Sequence, residues 1–235
     1  MSQLPWLESF STEFPDTRNA LDDPNGLLAA GDTLSTDQLL AAYQKGIFPW
    51  FEDGQPVLWW SPSPRLVLRP EQLHISKSMR KVLRRGLYTV TTNKCFDAVI
   101  RACAAPRDEQ DGTWITEEIV ESYNQLHTLG FAHSVEVWQH QELVGGLYGI
   151  ALGKVFFGES MFSLASNASK FGFITLIENL RALNYQLIDC QVHSDHLASL
   201  GAKEISRAEF ENYLLNSIEE TPSRPSWPEQ LKPYS

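Results

Sequence analysis

Between Ala132 and Val192 the chain sets three strand-like segments, one long apolar helix and a fourth strand in succession, an order that restricts the fold more than any other feature. AHSVEVWQ, LVGGLYGIALG and KVFFGESMF read as strands, and only short turns at His140-Gln141 and Gly153-Lys154 join them. Asn167 then stands as the cap of ASKFGFITLIENLRAL, and the strand QLIDCQV follows. The order is compatible with an α+β domain and does not by itself name one.

Upstream, Ser35 and Gln38 have capping-box spacing and Gly46 stands as a C-cap, so a helix is predicted from about Thr36 to Lys45. IFPWFEDGQPVLWWSPSPR, with five aromatic residues and four prolines, excludes a continuous helix. Its SPSP segment divides a small N-terminal domain, residues 1–63, from a larger domain, 64–235. RLVLR and LYTVTT read as strands on either side of a basic helix, Ser76 to Arg85, closed by Gly86. A helix starting at Asn93 or Lys94 runs through Ala104, and Thr116 caps EEIVESYNQLHTL, which ends at Gly130. Beyond QLIDCQV come a short turn of helix, DHLASLG, and a final helix opened by Ser206 and Glu209. Residues 221–235 hold four prolines and read as a surface tail.

No apolar run approaches the roughly 18 residues of a membrane helix, since the best one stops at Lys154. The first ten residues lack a basic leader, and three cysteines without a C-x-x-C suit a reducing compartment, so a cytoplasmic protein without membrane partners is expected. The net charge of −10 argues against nucleic acid globally, but its distribution does not. From Arg65 to Arg101 nine basic residues meet two acidic ones, a local charge of +7 against −17 elsewhere. Lys77, Arg80, Lys81, Arg84 and Arg85 recur at helical spacing, which puts most of this charge on one side as a candidate phosphate-binding surface.

The chain has no G-x-x-x-x-G-K-[ST], G-x-G-x-x-G or G-x-S-x-G, so nucleotide hydrolysis, dinucleotide redox and serine hydrolysis lose their strongest signatures. Cys190, His193 and His196 lack a fourth strong ligand, so no metal is expected, and a thiol in an apolar strand is ordinary packing. In QLIDCQV, Asp189 and Gln191 share one face, opposite Ile188, Cys190 and Val192. An acid in an apolar strand needs a partner or a task. Glu159, after Gly158 at the far end of another strand, is a second such acid, and the two together would attract a cation. Trp50 is either core or a platform for a base.

YQKGIFPWF, LWWSPSPR, LHISKSMRK, GTWIT, AHSVEVW, ELVGGLYG, FFGESMFS, NASK and LIDCQVHSDHLASLGA, in this order over roughly residues 22–215, resemble the leucyl/phenylalanyl-tRNA-protein transferases. The resemblance implies an α+β protein, a small N-terminal domain plus a mixed-sheet domain like the acyl-CoA N-acyltransferase (GNAT) fold. It implies transfer of Leu, Phe and less so Met from aminoacyl-tRNA to the N-terminal α-amine of proteins beginning with Arg or Lys, marking them for N-degron proteolysis, by a monomer without cofactor. Asp189 and Gln191 take the catalytic positions. Trp50 takes the terminal adenine; Trp114, Leu147, Met161, Phe173, Leu176 and Ile188 form the side-chain pocket; Glu159 and Asp189 favour the cationic acceptor. Lys77, Arg80, Lys81, Arg84 and Arg85 contact acceptor-stem phosphates. An acyl-CoA-dependent N-acetyltransferase is the alternative, disfavoured because SMFSLASNASK replaces the R-x-x-G-x-G/A pyrophosphate loop. Leu147 stands where methionine is often found in the family.

Overall fold

In the computed structural model, which describes residues 4–106, 113–219 and 226–234, the first helix begins at its capping pair. The Ser35 hydroxyl accepts from the Gln38 N–H and the Gln38 carbonyl from the Ser35 N–H, opening α1 (Thr36–Gln44). Gly46, at φ 73°, turns the chain out of it. The aromatic and proline-rich stretch around α1 forms three short strands, β1 (Leu27–Gly31), β2 (Phe48–Pro49) and β3 (Val57–Trp60), in an antiparallel sheet of order β1-β3-β2. Trp59 is wholly buried there.

After Ser61–Pro64 the chain leaves this sheet. It continues through β4 (Arg65–Leu68), α2 (Lys77–Arg84), β5 (Thr89–Thr92), α3 (Phe96–Ala104), α4 (Glu117–Thr128), β6 (Ala132–Gln139), β7 (Glu142–Leu152) and β8 (Val155–Ser163). The last elements are α5 (Ala168–Ala182), β9 (Leu187–Gln191), α6 (Asp195–Ser199), β10 (Lys203–Ile205) and α7 (Arg207–Ser217). Seven strands form one sheet, β10-β4-β9-β8-β7-β6-β5, antiparallel at every pair except β8–β9. That exception follows from connectivity: two-residue turns join β6, β7 and β8, whereas α5 carries the chain back to start β9 beside the start of β8. One apolar cluster joins the sheet to α1, α3, α4 and the small sheet; a second joins it to α2 and α5. The protein is thus α+β, a small N-terminal unit beside a mixed sheet.

Three expectations need adjustment. Asn93, at φ 60°, donates its backbone N–H to the Ser134 carbonyl of β6 and accepts the Ser134 N–H on its side-chain Oδ1, so α3 starts only at Phe96. Asn167, also left-handed at φ 63°, makes no side-chain cap; the Ser163 hydroxyl accepts the Ser169 N–H instead. The tail does more than cover the surface: Trp227 stacks on His133 at 4.4 Å, Leu231 is buried, and Gln230 bridges Thr91 on the edge strand β5. Residues 221–225 and 235 of that tail lie outside the described residues, as does Gly112 of the GTWIT motif.

Where β7 meets β8, Gly149 leaves no room for a side chain: a Cβ there would lie 2.2 Å from the Phe157 carbonyl oxygen and 2.5 Å from the Phe156 ring. Gly149→Ala is therefore expected to cost about 1–3 kcal/mol, read as a lower urea midpoint with unchanged slope. An unchanged midpoint would contradict the packing described.

Candidate active site

β8 and β9 pair only along Val155–Phe157 and Leu187–Asp189, although β8 continues to Ser163 and β9 to Gln191. Each strand carries an irregularity where the pairing ends. On β8, Gly158 faces Gly149 and Ser160 faces Tyr148, which leaves Glu159 without a cross-strand partner. On β9, Asp189 faces Val67 and Gln191 faces Leu66, which leaves Cys190 as the extra residue. Such bulges re-aim side chains. Here they bring Glu159 and Gln191 together: the Gln191 Nε2 donates to Glu159 Oε1 at 2.9 Å.

Asp189 meets a different group. Arg65, the first residue of β4, donates from Nε to Oδ1 (2.8 Å) and from Nη2 to Oδ2 (2.7 Å), and the two side chains are 1% and 0% exposed. Oδ1 also accepts the backbone N–H of Gln191 at 2.9 Å, where Gln191 is held at φ 63°. The expectation that Asp189 offers its charge to an incoming cation is thereby corrected, because a buried guanidinium occupies both of its oxygens.

Glu159 is half-buried and gathers three donors. Besides Gln191, the Tyr43 hydroxyl of α1 lies 2.7 Å from Oε1 and the Tyr123 hydroxyl of α4 3.2 Å from Oε2, and the two hydroxyls are also in hydrogen-bond contact, so their two protons are shared among three contacts. Loss of hydration pushes the Glu159 carboxyl up to about 7; the tyrosine hydrogen bonds and Arg65 oppose that shift, while the charge of Asp189 adds to it. Burial first, then Glu159, drives both phenols well above their usual range, so they remain donors. Burial likewise pushes the Cys190 thiol up, away from nucleophilic chemistry.

The other expected residues fall into separate groups. Leu147, Phe173, Leu176 and Ile188 are buried in one apolar cluster with half-buried Met161 at its border. Trp114 packs instead against the cluster on the other face of the sheet. Trp50 is 47% exposed, its ring 5.6 Å from that of Trp60, whose indole N–H donates to the Trp50 carbonyl. Lys77, Arg80, Lys81, Arg84 and Arg85 are all exposed and enter no ion pair among the described residues, while Met79 and Leu83 anchor α2 from beneath. The Tyr88 hydroxyl, just beyond α2, donates to the Ser166 carbonyl and ties this helix's exit to the turn after β8.

Sequence reasoning missed Arg65, Tyr43 and Tyr123. Arg65 had a signal, a charge at the head of an apolar strand complementary to Asp189; the tyrosines sit among apolar residues of ordinary amphipathic helices and had none.

The family model described as leucyl/phenylalanyl-tRNA protein transferase matches residues 67–215, and that of the same family's N-terminal domain matches residues 32–63. A leucyl/phenylalanyl-tRNA--protein transferase of Cellvibrio japonicus (strain Ueda107) is 60% identical over 217 residues, covering 92% of each chain. One from Pseudomonas fluorescens (strain Pf0-1) is 58% identical over 224 residues, 95% of this chain and 99% of that one. Among solved structures, a GCN5-related N-acetyltransferase from Kribbella flavida aligns at a TM-score of 0.34 and 11% identity, over 71% of this chain and 60% of that one, too distant to argue from.

The Glu159 shift has a consequence for stability. The unfolded chain releases this proton near 4.5 and the folded one only near 7, so the folded state holds the extra proton between those values and stability falls as pH rises through them. Glu159→Gln removes that loss. Its stability advantage over wild type, measured by urea unfolding from about pH 4.5 to about pH 8, is expected to grow with pH across this window and then level off. A gap independent of pH would contradict the burial of this carboxyl.

Proposed function

Because the chain belongs to the leucyl/phenylalanyl-tRNA protein transferase family, we propose that it moves Leu or Phe, and less readily Met, from aminoacyl-tRNA to the N-terminal α-amine of proteins beginning with Arg or Lys. The transfer marks those proteins for N-degron proteolysis, and the enzyme acts as a cytoplasmic monomer. No helix among the described residues is long and apolar enough to cross a membrane. The small N-terminal domain is taken as residues 1–63 and the catalytic domain as 64–235.

The observation that carries the reading is the state of Gln191. Its backbone is held through Asp189 and its Nε2 by Glu159, which leaves Oε1 to accept a hydrogen bond from an incoming amine. The amine nitrogen attacks the ester carbonyl carbon; a C–N bond forms, the C–O bond to the terminal ribose breaks, and one proton passes from nitrogen to the ribose oxygen. The ester is already activated. A peptide α-amine, with a reference pKa of about 7.7–8.0, is roughly a tenth or more neutral at pH 7. Orientation is therefore the main requirement, and it can supply about 7–11 kcal/mol. Gln191 is the catalytic group that touches the amine, and Asp189 acts through it.

Recognition is divided among the remaining residues. Leu147, Met161, Phe173, Leu176 and Ile188, together with Trp114, take the apolar side chain of the donor. Trp50 stacks on the terminal adenine with its exposed face. A carboxylate offers about four lone-pair sites, of which Glu159 uses three, so one remains for the acceptor's Arg or Lys side chain. Lys77, Arg80, Lys81, Arg84 and Arg85 hold acceptor-stem phosphates, contacts that carry no sequence information.

The test is transfer of labelled leucine from Leu-tRNA to a peptide beginning with Arg, with an Asp-starting peptide and acetyl-CoA as controls. Transfer to the Arg peptide alone is expected; acetylation without leucine transfer would overturn the reading. Replacing Arg80, Lys81, Arg84 and Arg85 by Ala should flatten the salt dependence of tRNA binding by about one unit per lost phosphate contact. An unchanged slope would remove α2 from the tRNA surface.

A further inference from the structure

We propose that Arg65 is a positioning residue for the transfer reaction, fixing Gln191 through the carboxylate of Asp189. The proposal rests on the functional reading above and adds to it a residue and a division of labour. Three features of the geometry carry it.

The guanidinium grips both oxygens of Asp189 in a fork, so the carboxylate cannot rotate about its own axis. The same carboxylate then holds the Gln191 N–H at a φ of 63°, a left-handed conformation uncommon for residues other than glycine. Finally, the guanidinium lies between two rings, with its central carbon 4.7 Å from the centroid of Phe48 on β2 and 4.7 Å from that of Phe210 on α7. The fork is thus clamped by the small sheet and by the last helix.

A chain of contacts follows: Phe48 and Phe210 set the plane of Arg65, Arg65 sets Asp189, and Asp189 sets the backbone of Gln191. In this chain Asp189 serves as an oriented acceptor, and its charge serves to bind Arg65. No proton moves through either residue. A lysine at position 65 would keep the charge and lose the fork, because an ammonium is a point donor.

Three variants of the full-length enzyme separate positioning from mere support, each assayed with Leu-tRNA and an Arg-starting peptide. Arg65→Lys is expected to lower kcat by about tenfold or more while KM for Leu-tRNA stays within about twofold, since the lost interaction concerns the attacking amine. The apolar pair Arg65→Met/Asp189→Leu can fold, as replacements of buried ion pairs often do, yet offers Gln191 no acceptor, so its kcat should fall by about 100-fold or more. The neutral polar pair Arg65→Gln/Asp189→Asn keeps an oxygen for the Gln191 N–H and should recover about tenfold over the apolar pair. Full kcat in Arg65→Lys, or equal kcat in the two pairs, would overturn the proposal. Exchange of the Gln191 backbone amide with deuterium provides a readout that needs no activity: protected in wild type, faster in the apolar pair, restored in the polar pair. Faster exchange confined to the apolar pair, in an enzyme whose wild type transfers no leucine, would uphold the positioning and sink only the functional reading. Equal exchange in wild type and apolar pair would sink the positioning itself.

Discussion

The Arg65–Asp189 ion pair is the interaction on which the rest of the site depends. Burying two charges costs several kcal/mol per ion before their attraction is counted, so stability alone is a poor reason to keep such a pair. What the pair does supply is direction. A fork on a carboxylate has one good geometry, and here that geometry is shared by elements distant in sequence: β2 through Phe48, β4 through Arg65, β9 through Asp189 and α7 through Phe210. The small sheet, the mixed sheet and the last helix meet at this point.

β8 and β9 lose contact past Phe157 and Asp189, and the two bulges turn Glu159 and Gln191 toward each other across the gap. The N-terminal unit reaches this point as well, because Tyr43 of α1 donates to Glu159 beside Tyr123 of the larger unit. Inside, charges are compensated within a few ångströms; outside, the cationic side chains of α2 are left without ion-pair partners among the described residues. The basic charge of this acidic protein is thereby concentrated on one local surface.

Much of this was legible in the residues. Alternation and short turns located β6, β7 and β8, capping pairs located α1 and α7, and the apolar period located α5, because each of those signals is local. β1, β2, β3 and β10 were not foreseen: they are short segments held by pairing with strands distant in sequence, and β2 and β3 lie in a stretch broken by prolines. The same division runs through the site. Asp189 and Gln191 stood out as polar residues in an apolar strand, and Glu159 as an acid after a glycine. Their partners were harder to read: Arg65 shows only as a charge at the head of an apolar strand, Tyr43 not at all, and the contacts of Tyr43 with Glu159 and of Arg65 with Asp189 span more than a hundred residues. The parallel pairing that leaves the gap is likewise a property of the crossover, invisible in either strand alone.

The Gln191 amide is held by a Glu159 carboxyl that changes charge near neutrality. Following the nitrogen shift of the Gln191 side-chain amide by NMR from about pH 5 to about pH 9 tests it directly. A titration with its midpoint near 7, abolished in Glu159→Gln, is the predicted result. An amide resonance that stays flat through neutrality in wild type, or one that titrates identically in Glu159→Gln, would contradict the arrangement.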